Sequence, residues 1–253
     1  MYCSSVLLAM TVLPRHLEEL LRAQDFDCII GVDEAGRGPL CGPVVAGACV
    51  YEQTGEGIEG VADSKSIPKE EREKLFEKMS ANEKLYFDTC QVTNQRIDEI
   101  NILQATFEAM TGAVDACLAR LTRSPKKVHV LVDGPKVPPQ LLARFACTPV
   151  VRGDGKEFLI AAASIAAKVV RDRIMQQIHE KFPIYNLAQH KGYPTAEHMH
   201  LVRVHGPCEF HRLTFAPLKH MAVARPQAKR KTQTEGLILV DGLRRSARLR
   251  CRE

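Results

Sequence analysis

The sequence predicts an α/β fold in which a mixed β-sheet is flanked by helices. Two observations indicate this class: short apolar runs bounded by glycine, proline and polar residues, and longer segments with apolar residues at helical spacing. A third observation concerns the strand ends: three predicted strands each end in an aspartate, at Asp33, Asp133 and Asp154. Ligands bind such sheets at the carboxyl ends of the strands, so we expect the functional site where these acids converge.

The predicted strands cover residues 28–33, 43–51, 84–92, 128–134 and 148–154. A glycine-rich bend too short for a helix separates the first two strands, so we expect them to be antiparallel neighbours. Helical spacing predicts helices over 68–80, 95–122 and 158–182, and the small residues of the last should let it pack tightly on the sheet. Residues 183–217 are rich in His, Tyr, Pro and Gly, which predicts a compact region of loops and short helices.

Composition excludes several classes of protein. The chain has 253 residues, 45% of them hydrophobic, and no apolar run of about 18 residues, so no transmembrane helix is expected. Residues 4–13 are apolar, but no basic residue precedes them and no small-residue cleavage site follows, so we do not expect secretion. Nine scattered cysteines without a C-x-x-C pair argue against a zinc ribbon or thioredoxin-type motif and favour a reduced cytoplasm.

Charge is unevenly distributed along the chain. The net charge is +5, and the residues from 225 onward carry nine Lys or Arg against three acids, which predicts a basic, flexible tail. We therefore expect four parts: an extension over 1–27, a catalytic domain over 28–182, a substrate-contacting region over 183–222 and the tail over 223–253.

Adjacent acids, Asp33 and Glu34, join the two later aspartates in the predicted site. Carboxylates gathered at strand ends repel one another, and hard divalent cations with oxygen ligands relieve that repulsion. A pair of such ions can activate a water and stabilise a leaving oxygen at phosphorus. For any one acid alone, a turn or strand cap is the simpler interpretation. Neighbours on a strand face opposite sides, so Asp33 and Glu34 should share a site only if the strand ends or bulges between them.

The bend that follows, Gly36-Arg37-Gly38, suits a phosphate or sugar ligand. Glycine lets the backbone approach a ligand closely, and arginine can bind phosphate through two hydrogen bonds. The glycine spacing differs from the dinucleotide-binding motif, and without the acids a plain β-turn would be preferred.

Several motifs, in order and spacing, resemble bacterial ribonuclease HII, a type 2 ribonuclease H. They are GVDEAGRGPLCGPVVAGACV, DSKSIPKEERE, LVDG, GDGKEFLIAAASIAAKVVRDR, HKGYPTAEH and GPCEFHRLTFAP, and the resemblance covers roughly residues 28 to 220. It implies a ribonuclease H-like fold and a metal-dependent endoribonuclease with two divalent ions, Mg²⁺ or Mn²⁺. Its implied substrates are RNA–DNA hybrids and DNA duplexes containing ribonucleotides, cut 5′ of the ribonucleotide to leave 3′-hydroxyl and 5′-phosphate ends.

The same resemblance implies roles for individual residues. The catalytic and metal-binding acids fall on Asp33, Glu34, Asp133 and Asp154. The bend that surveys the ribose 2′-hydroxyl falls on Gly36, Arg37 and Gly38, and the substrate-sensing tyrosine on Tyr193. We expect a monomer in the cytoplasm.

Weaker assignments concern three polar residues. Lys65 is predicted to hold a backbone phosphate, although an exposed turn is nearly as good an interpretation. Ser164 and Lys168 lie four apart on one helix face and are predicted to face the phosphates. Asp172 is expected to pair with Arg171 or Arg173. The histidines are taken as surface or packing residues without a zinc ligand set, with His190 and His211 near nucleic acid.

Three alternatives remain at this point. Another nuclease of the same fold could use these acids on DNA, a reading that the Gly-Arg-Gly and HKGY segments disfavour. A catalytically silent nucleic-acid-binding module is disfavoured by the acids, because they weaken phosphate binding. A paired-carboxylate glycosidase is a distant third, and the absence of tryptophan counts lightly against it.

Overall fold

The computed structural model describes residues 12–52, 55–62 and 64–220. Its centre is a five-stranded sheet. The strands are β1 (Cys28–Ala35), β2 (Val44–Tyr51), β3 (Leu85–Val92), β4 (Val128–Asp133) and β5 (Ala146–Val150). Asp63, most of the apolar run at 4–13 and the basic tail lie outside the described residues.

The strand order is β3-β2-β1-β4-β5. Strand β2 pairs antiparallel with β1, as the short bend predicts, and also with β3, while β4 pairs parallel with β1 and β5. The sheet is therefore mixed, and the α/β class is confirmed.

Helices cover both faces of the sheet. They are α1 (His16–Ala23), α2 (Lys69–Ala81), α3 (Asn94–Ile100), α4 (Ile102–Leu118), α5 (Pro139–Leu142), α6 (Phe158–Lys181), α7 (Leu187–His190) and α8 (Ala196–His205). Alternate residues of β1 separate two cores, with Ile29 packed on the α6 side and Ile30 on the α4 side. None of the helices in the described ranges could cross a bilayer.

The close packing of α6 on the sheet depends on two strand glycines. A Cβ added to Gly31 would lie 2.3 Å from the carbonyl carbon of Leu159, and one added to Gly47 would lie 2.4 Å from the carbonyl oxygen of Ala163. Only glycine admits the helix backbone this close. The prediction that this small-residue helix packs tightly is confirmed.

The single helix predicted over 95–122 is wrong, because the chain breaks at Asn101. This residue has φ +68° and its side chain accepts hydrogen bonds from the backbone N–H groups of Leu103 (3.0 Å) and Gln104 (3.1 Å). Asparagine tolerates the left-handed conformation and caps a helix well, so α3 ends and α4 begins at one residue.

Two expectations about the acids are also wrong. Strand β5 ends at Val150, and Asp154 lies beyond a turn, in the 3₁₀ segment Gly153–Gly155. Strand β1 neither ends nor bulges at the adjacent acids, because Asp33 pairs with Gly47 and Glu34 with Ala46 in regular register.

Candidate active site

The acids meet at the edge of the sheet by a different route from the one expected. Asp33 and Glu34 face opposite sides of β1, and the parallel pairing with β4 stops just before them, at Val32 and Val132. Glu34 shares a cavity wall with Phe107 on the α4 side. Asp133, the last residue of β4, lines cavities with both acids. The acids therefore lie on both faces of the sheet where β1 and β4 stop pairing.

A backbone hydrogen bond places Asp154 near the other three acids. The Gly153 N–H donates to Asp133 Oδ1 at 2.7 Å, which ties the end of β4 to the segment carrying Asp154. Asp154 Oδ2 lies 3.3 Å from Lys65 Nζ, so the loop before α2 also joins the site.

The carboxylates are held in an electrostatically unfavourable arrangement. Burial raises the pKa of Asp33, and the charges of Glu34 and Asp133 raise it further. Burial likewise raises the pKa values of Glu34 and Asp133, while the Arg37 guanidinium, 3.2 Å from Glu34, opposes the rise at Glu34. Asp33 is only 3% exposed, and its Oδ2 has no hydrogen-bond partner among the described residues.

These features fit a divalent cation. Several oxygen donors face one place, and one of them is buried without a hydrogen-bond partner in the part of the chain that the structure describes. The charges of Glu34 and Asp133 also disfavour the charged form of Asp33. A hard cation supplies the missing ligand interaction and removes the repulsion.

A fully buried arginine holds the Gly36–Gly38 bend in place. Arg212 donates to the carbonyl oxygens of Gly36 (2.6 Å), Arg37 (2.9 Å) and Gly42 (3.0 Å). A trans peptide directs its C=O and N–H groups to opposite sides, so the N–H groups of Arg37 and Gly38 point away from Arg212. They lie at the wall of the cavity, where they can donate to a ligand.

A second buried arginine, Arg171 of α6, supports the same bend. It donates to the carbonyl oxygens of Pro43 (3.1 Å), Cys41 (3.3 Å) and Lys191 (3.1 Å). The lysine carbonyl connects the bend to the loop that carries Tyr193, whose ring is 46% exposed. An added Cβ on Gly38 would lie 3.6 Å from that ring, so bend and tyrosine face one another.

The predicted residues of α6 occupy different environments. Ser164 is buried, and its hydroxyl lies 2.8 Å from that of Ser64. The Ser164 side chain opposes the rise in the pKa of Asp33. Lys168 is partly exposed, and its Nζ lies 2.6 Å from Asp172. The expected pairing of Asp172 with Arg171 or Arg173 is wrong, because its other partner is Arg72, at 3.4 Å.

One open cavity of about 180 Å³ collects most of these groups. Its walls include every residue predicted for substrate binding, three of the four acids and two residues that the sequence did not indicate. They are Asp33, Glu34, Gly36, Arg37, Gly38, Ser64, Lys65, Asp133, Ser164, Lys168, Arg171 and Tyr193. Asp154 borders it through its ion pair with Lys65.

Sequence reasoning missed three supporting residues, Ser64, Arg171 and Arg212. Each acts through partners far away in the chain, as with Arg212 and Gly36, 176 positions apart. Their burial has no local signal, because it depends on partners that only the fold brings close.

The histidine expectations were partly wrong. His190 and His211 are buried, so neither is placed to touch nucleic acid. His211 instead lies in a cluster with Cys41 and Cys208. The cluster was not evident in the sequence because Cys41 lies far along the chain from the other two residues.

Comparison with known proteins identifies the family. The family model described as ribonuclease HII matches residues 30–218. The chain is 42% identical over 204 residues to ribonuclease HII of Chlamydia abortus (strain DSM 27085 / S26/3), covering 81% of this chain and 91% of that protein. It is 46% identical over 200 residues to ribonuclease HII of Caldicellulosiruptor saccharolyticus (strain ATCC 43494 / DSM 8903 / Tp8T 6331), covering 79% and 92%.

Solved structures agree on the fold. Ribonuclease H2 from Pyrococcus horikoshii OT3 superposes with a TM-score of 0.56 at 28% identity, covering 76% of this chain and 96% of that one. Bst-RNase HIII in complex with Mn²⁺ superposes with a TM-score of 0.57 at 17% identity, covering 76% and 68%.

A ribonuclease H-type sheet with clustered acids at its edge defines a metal-dependent nuclease. The chain belongs to the ribonuclease HII family. Its activity is accordingly that of an endoribonuclease acting on RNA–DNA hybrids.

Proposed function

We propose that this enzyme cuts the strand 5′ of a ribonucleotide, including a single ribonucleotide embedded in duplex DNA, and leaves 3′-hydroxyl and 5′-phosphate ends. The observation that carries the proposal is the meeting of the acids, the Gly36–Gly38 bend and Tyr193 around one open cavity. Only the 2′-hydroxyl separates RNA from DNA at a given position. A bend beside the acids therefore couples recognition of that hydroxyl to the cutting of the neighbouring phosphodiester.

The metal requirement is proposed as two divalent ions, Mg²⁺ or Mn²⁺, held by Asp33, Glu34, Asp133 and Asp154. Ions of this kind lower the pKa of a bound water and stabilise charge on phosphate oxygens. The unpartnered Asp33 Oδ2 and the raised pKa values of three of the acids support this ligand set. Bst-RNase HIII has been crystallised in complex with Mn²⁺.

The substrate is held by groups on either side of the acids. The N–H groups of the bend donate to the ribose hydroxyl, Arg37 and Lys65 bind phosphates, and Tyr193 packs on the sugar next to the cut. Lys168, whose pKa burial lowers, is assigned to a phosphate beside α6. Ser164 is too buried for a direct phosphate contact, so we assign it to positioning Asp33 through its hydroxyl. The enzyme is proposed to act as a cytoplasmic monomer.

The decisive experiment uses an end-labelled DNA duplex that contains one ribonucleotide. With Mg²⁺ or Mn²⁺, the wild-type protein should give one product ending in a 3′-hydroxyl that a DNA polymerase extends. Chelation or Asp133→Asn should abolish the cut while binding persists, because binding comes mainly from phosphate contacts with basic groups. An all-DNA duplex is the matched control substrate. Cutting of that duplex at a similar rate, or a cut on the 3′ side of the ribonucleotide, would refute the proposal.

A further inference from the structure

A pair of cysteines lies beneath the bend, outside the group of acids. The sulfur atoms of Cys41 and Cys208 and a ring nitrogen of His211 all lie within 4.8 Å of one another. Cys41 follows the bend and forms an isolated antiparallel bridge with His211, while Cys208 belongs to the segment before that histidine. Two thiols that are 167 positions apart in the sequence therefore face each other.

The charges around this cluster disfavour a bound metal ion. Arg171 and Arg212 are fully buried and donate to the carbonyl oxygens of Cys41 (3.3 Å) and Gly42 (3.0 Å). Two guanidinium groups repel a dication, whereas they stabilise a thiolate. The three donors are also one fewer than a structural zinc site uses.

Hydrogen bonds fix the tautomer of His211 so that it can accept the thiol proton. His198 Nδ1 lies 2.9 Å from the Tyr193 carbonyl oxygen and must donate to it, because a carbonyl only accepts. Burial lowers the pKa of His198 to about 4, so its Nε2 is unprotonated and accepts from His211 Nε2 at 3.1 Å. His211 Nδ1 therefore faces Cys208 as an acceptor, at 3.1 Å from its sulfur.

The two thiols have complementary environments. Cys208 is half-buried, and a hydrogen bond from Cys41 lowers the pKa of Cys208 below the usual range of a thiol. Cys41 is fully buried, and burial raises the pKa of its thiol. A low-pKa thiol next to a protonated second thiol is the arrangement typical of oxidant-sensitive cysteines.

We propose that Cys41 and Cys208 form a peroxide-dependent modification site that closes to a reversible disulfide. The Cys208 thiolate attacks one oxygen of hydrogen peroxide, the O–O bond breaks, and the departing hydroxide takes a proton to leave as water. The Cys208 sulfenic acid is then attacked by the Cys41 sulfur as the Cys41 proton leaves. The S–O bond breaks, and the second hydroxide takes that proton and leaves as water. Two thiols are oxidised and one peroxide is reduced to two waters.

The test is disulfide mapping on the full-length protein. The reduced protein is treated with hydrogen peroxide, its remaining thiols are blocked, and its peptides are analysed by mass spectrometry with and without dithiothreitol. We expect a linked peptide pair that contains Cys41 and Cys208 and disappears on reduction. Cys147→Ser is the matched control and should retain the link, because Cys147 is also half-buried but burial raises its pKa to about 11. Oxidation that stops at separate sulfinic acids, or that modifies Cys147 before Cys208, would overturn the proposal.

A second measurement needs no substitution and therefore does not depend on how a variant folds. Iodoacetamide alkylation of the reduced native protein at neutral pH should label Cys208 at least about tenfold faster than Cys147, because the thiolate is the reactive form. Equal labelling rates would overturn the proposal. Zinc that copurifies stoichiometrically and is lost in Cys208→Ser would also overturn it, since the cluster would then be a metal site.

Discussion

Replacing each of the two glycines of the bend by alanine should have very different effects on the free energy of unfolding. Gly36 has φ +95°, and an added Cβ would lie 2.0 Å from Nε of Arg171. That arginine cannot move aside without losing its hydrogen bonds to Pro43, Cys41 and Lys191. The left-handed backbone costs roughly 1–2 kcal/mol and the overpacking roughly 1–3 kcal/mol. Gly36→Ala should therefore lower the free energy of unfolding by about 2–5 kcal/mol.

Gly38→Ala is the matched control two residues away. Gly38 is exposed, and its added Cβ would make an ordinary contact, 3.6 Å from the Tyr193 ring. The free energy of unfolding of the Gly38→Ala variant should stay within about 1 kcal/mol of the wild-type value, since substitutions on the surface rarely change it by more.

Urea unfolding of both variants, followed by circular dichroism, measures the difference, and single-turnover cleavage of a hybrid measures activity. We expect Gly38→Ala to lose cleavage while it keeps its stability, because the new methyl group lies between the bend and the tyrosine. Equal unfolding midpoints for the two variants would refute the argument that Arg171 is locked against Gly36.

Three further outcomes follow from the acids, Tyr193 and the tail. In chelator at neutral pH, Asp33→Asn should unfold at higher urea than the wild type, because burial raises the pKa of Asp33 and so penalises its charged form. The stabilising contribution of the Asp33 carboxyl is full below its unfolded pKa of about 3.9 and is lost as pH rises through the folded pKa. The difference in unfolding midpoint between the variant and the wild type should therefore shrink as the pH is lowered. A difference independent of pH would contradict this. Tyr193→Ala should cut an isolated ribonucleotide roughly a hundredfold more slowly with little change in melting temperature, since the ring is 46% exposed; parallel losses of binding and cutting would show that it only packs. Truncation before residue 225 should flatten the salt dependence of hybrid binding without moving the cut, because the tail's nine basic residues would release counterions; an unchanged salt slope would rule this out.

Most of the sheet and the grouping of the acids could be predicted because both have local signals. A short apolar run bounded by turn residues, such as residues 28–33, favours a buried strand, and the helical spacing of residues 158–182 matches α6 closely. The break at Asn101 was missed because asparagine within an amphipathic pattern costs a helix little, and its use as a cap is decided by φ. The position of Asp154 was missed for a similar reason, since Arg152 turns the chain out of β5 by adopting φ +56°.

The scaffold of the site could not be predicted, because it consists of contacts between distant segments. Arg212 faces the carbonyl oxygens of Gly36 and Arg37 across 176 and 175 positions of sequence. Three hydrogen bonds from a charged donor compensate for burying that donor. They also turn the peptide groups of the bend so that the N–H groups of Arg37 and Gly38 face the cavity. The residue that directs these groups toward the cavity is thus a buried arginine that does not line the cavity itself. The Gly-Arg-Gly motif identifies the bend in the sequence, and only the fold reveals what holds the bend in place.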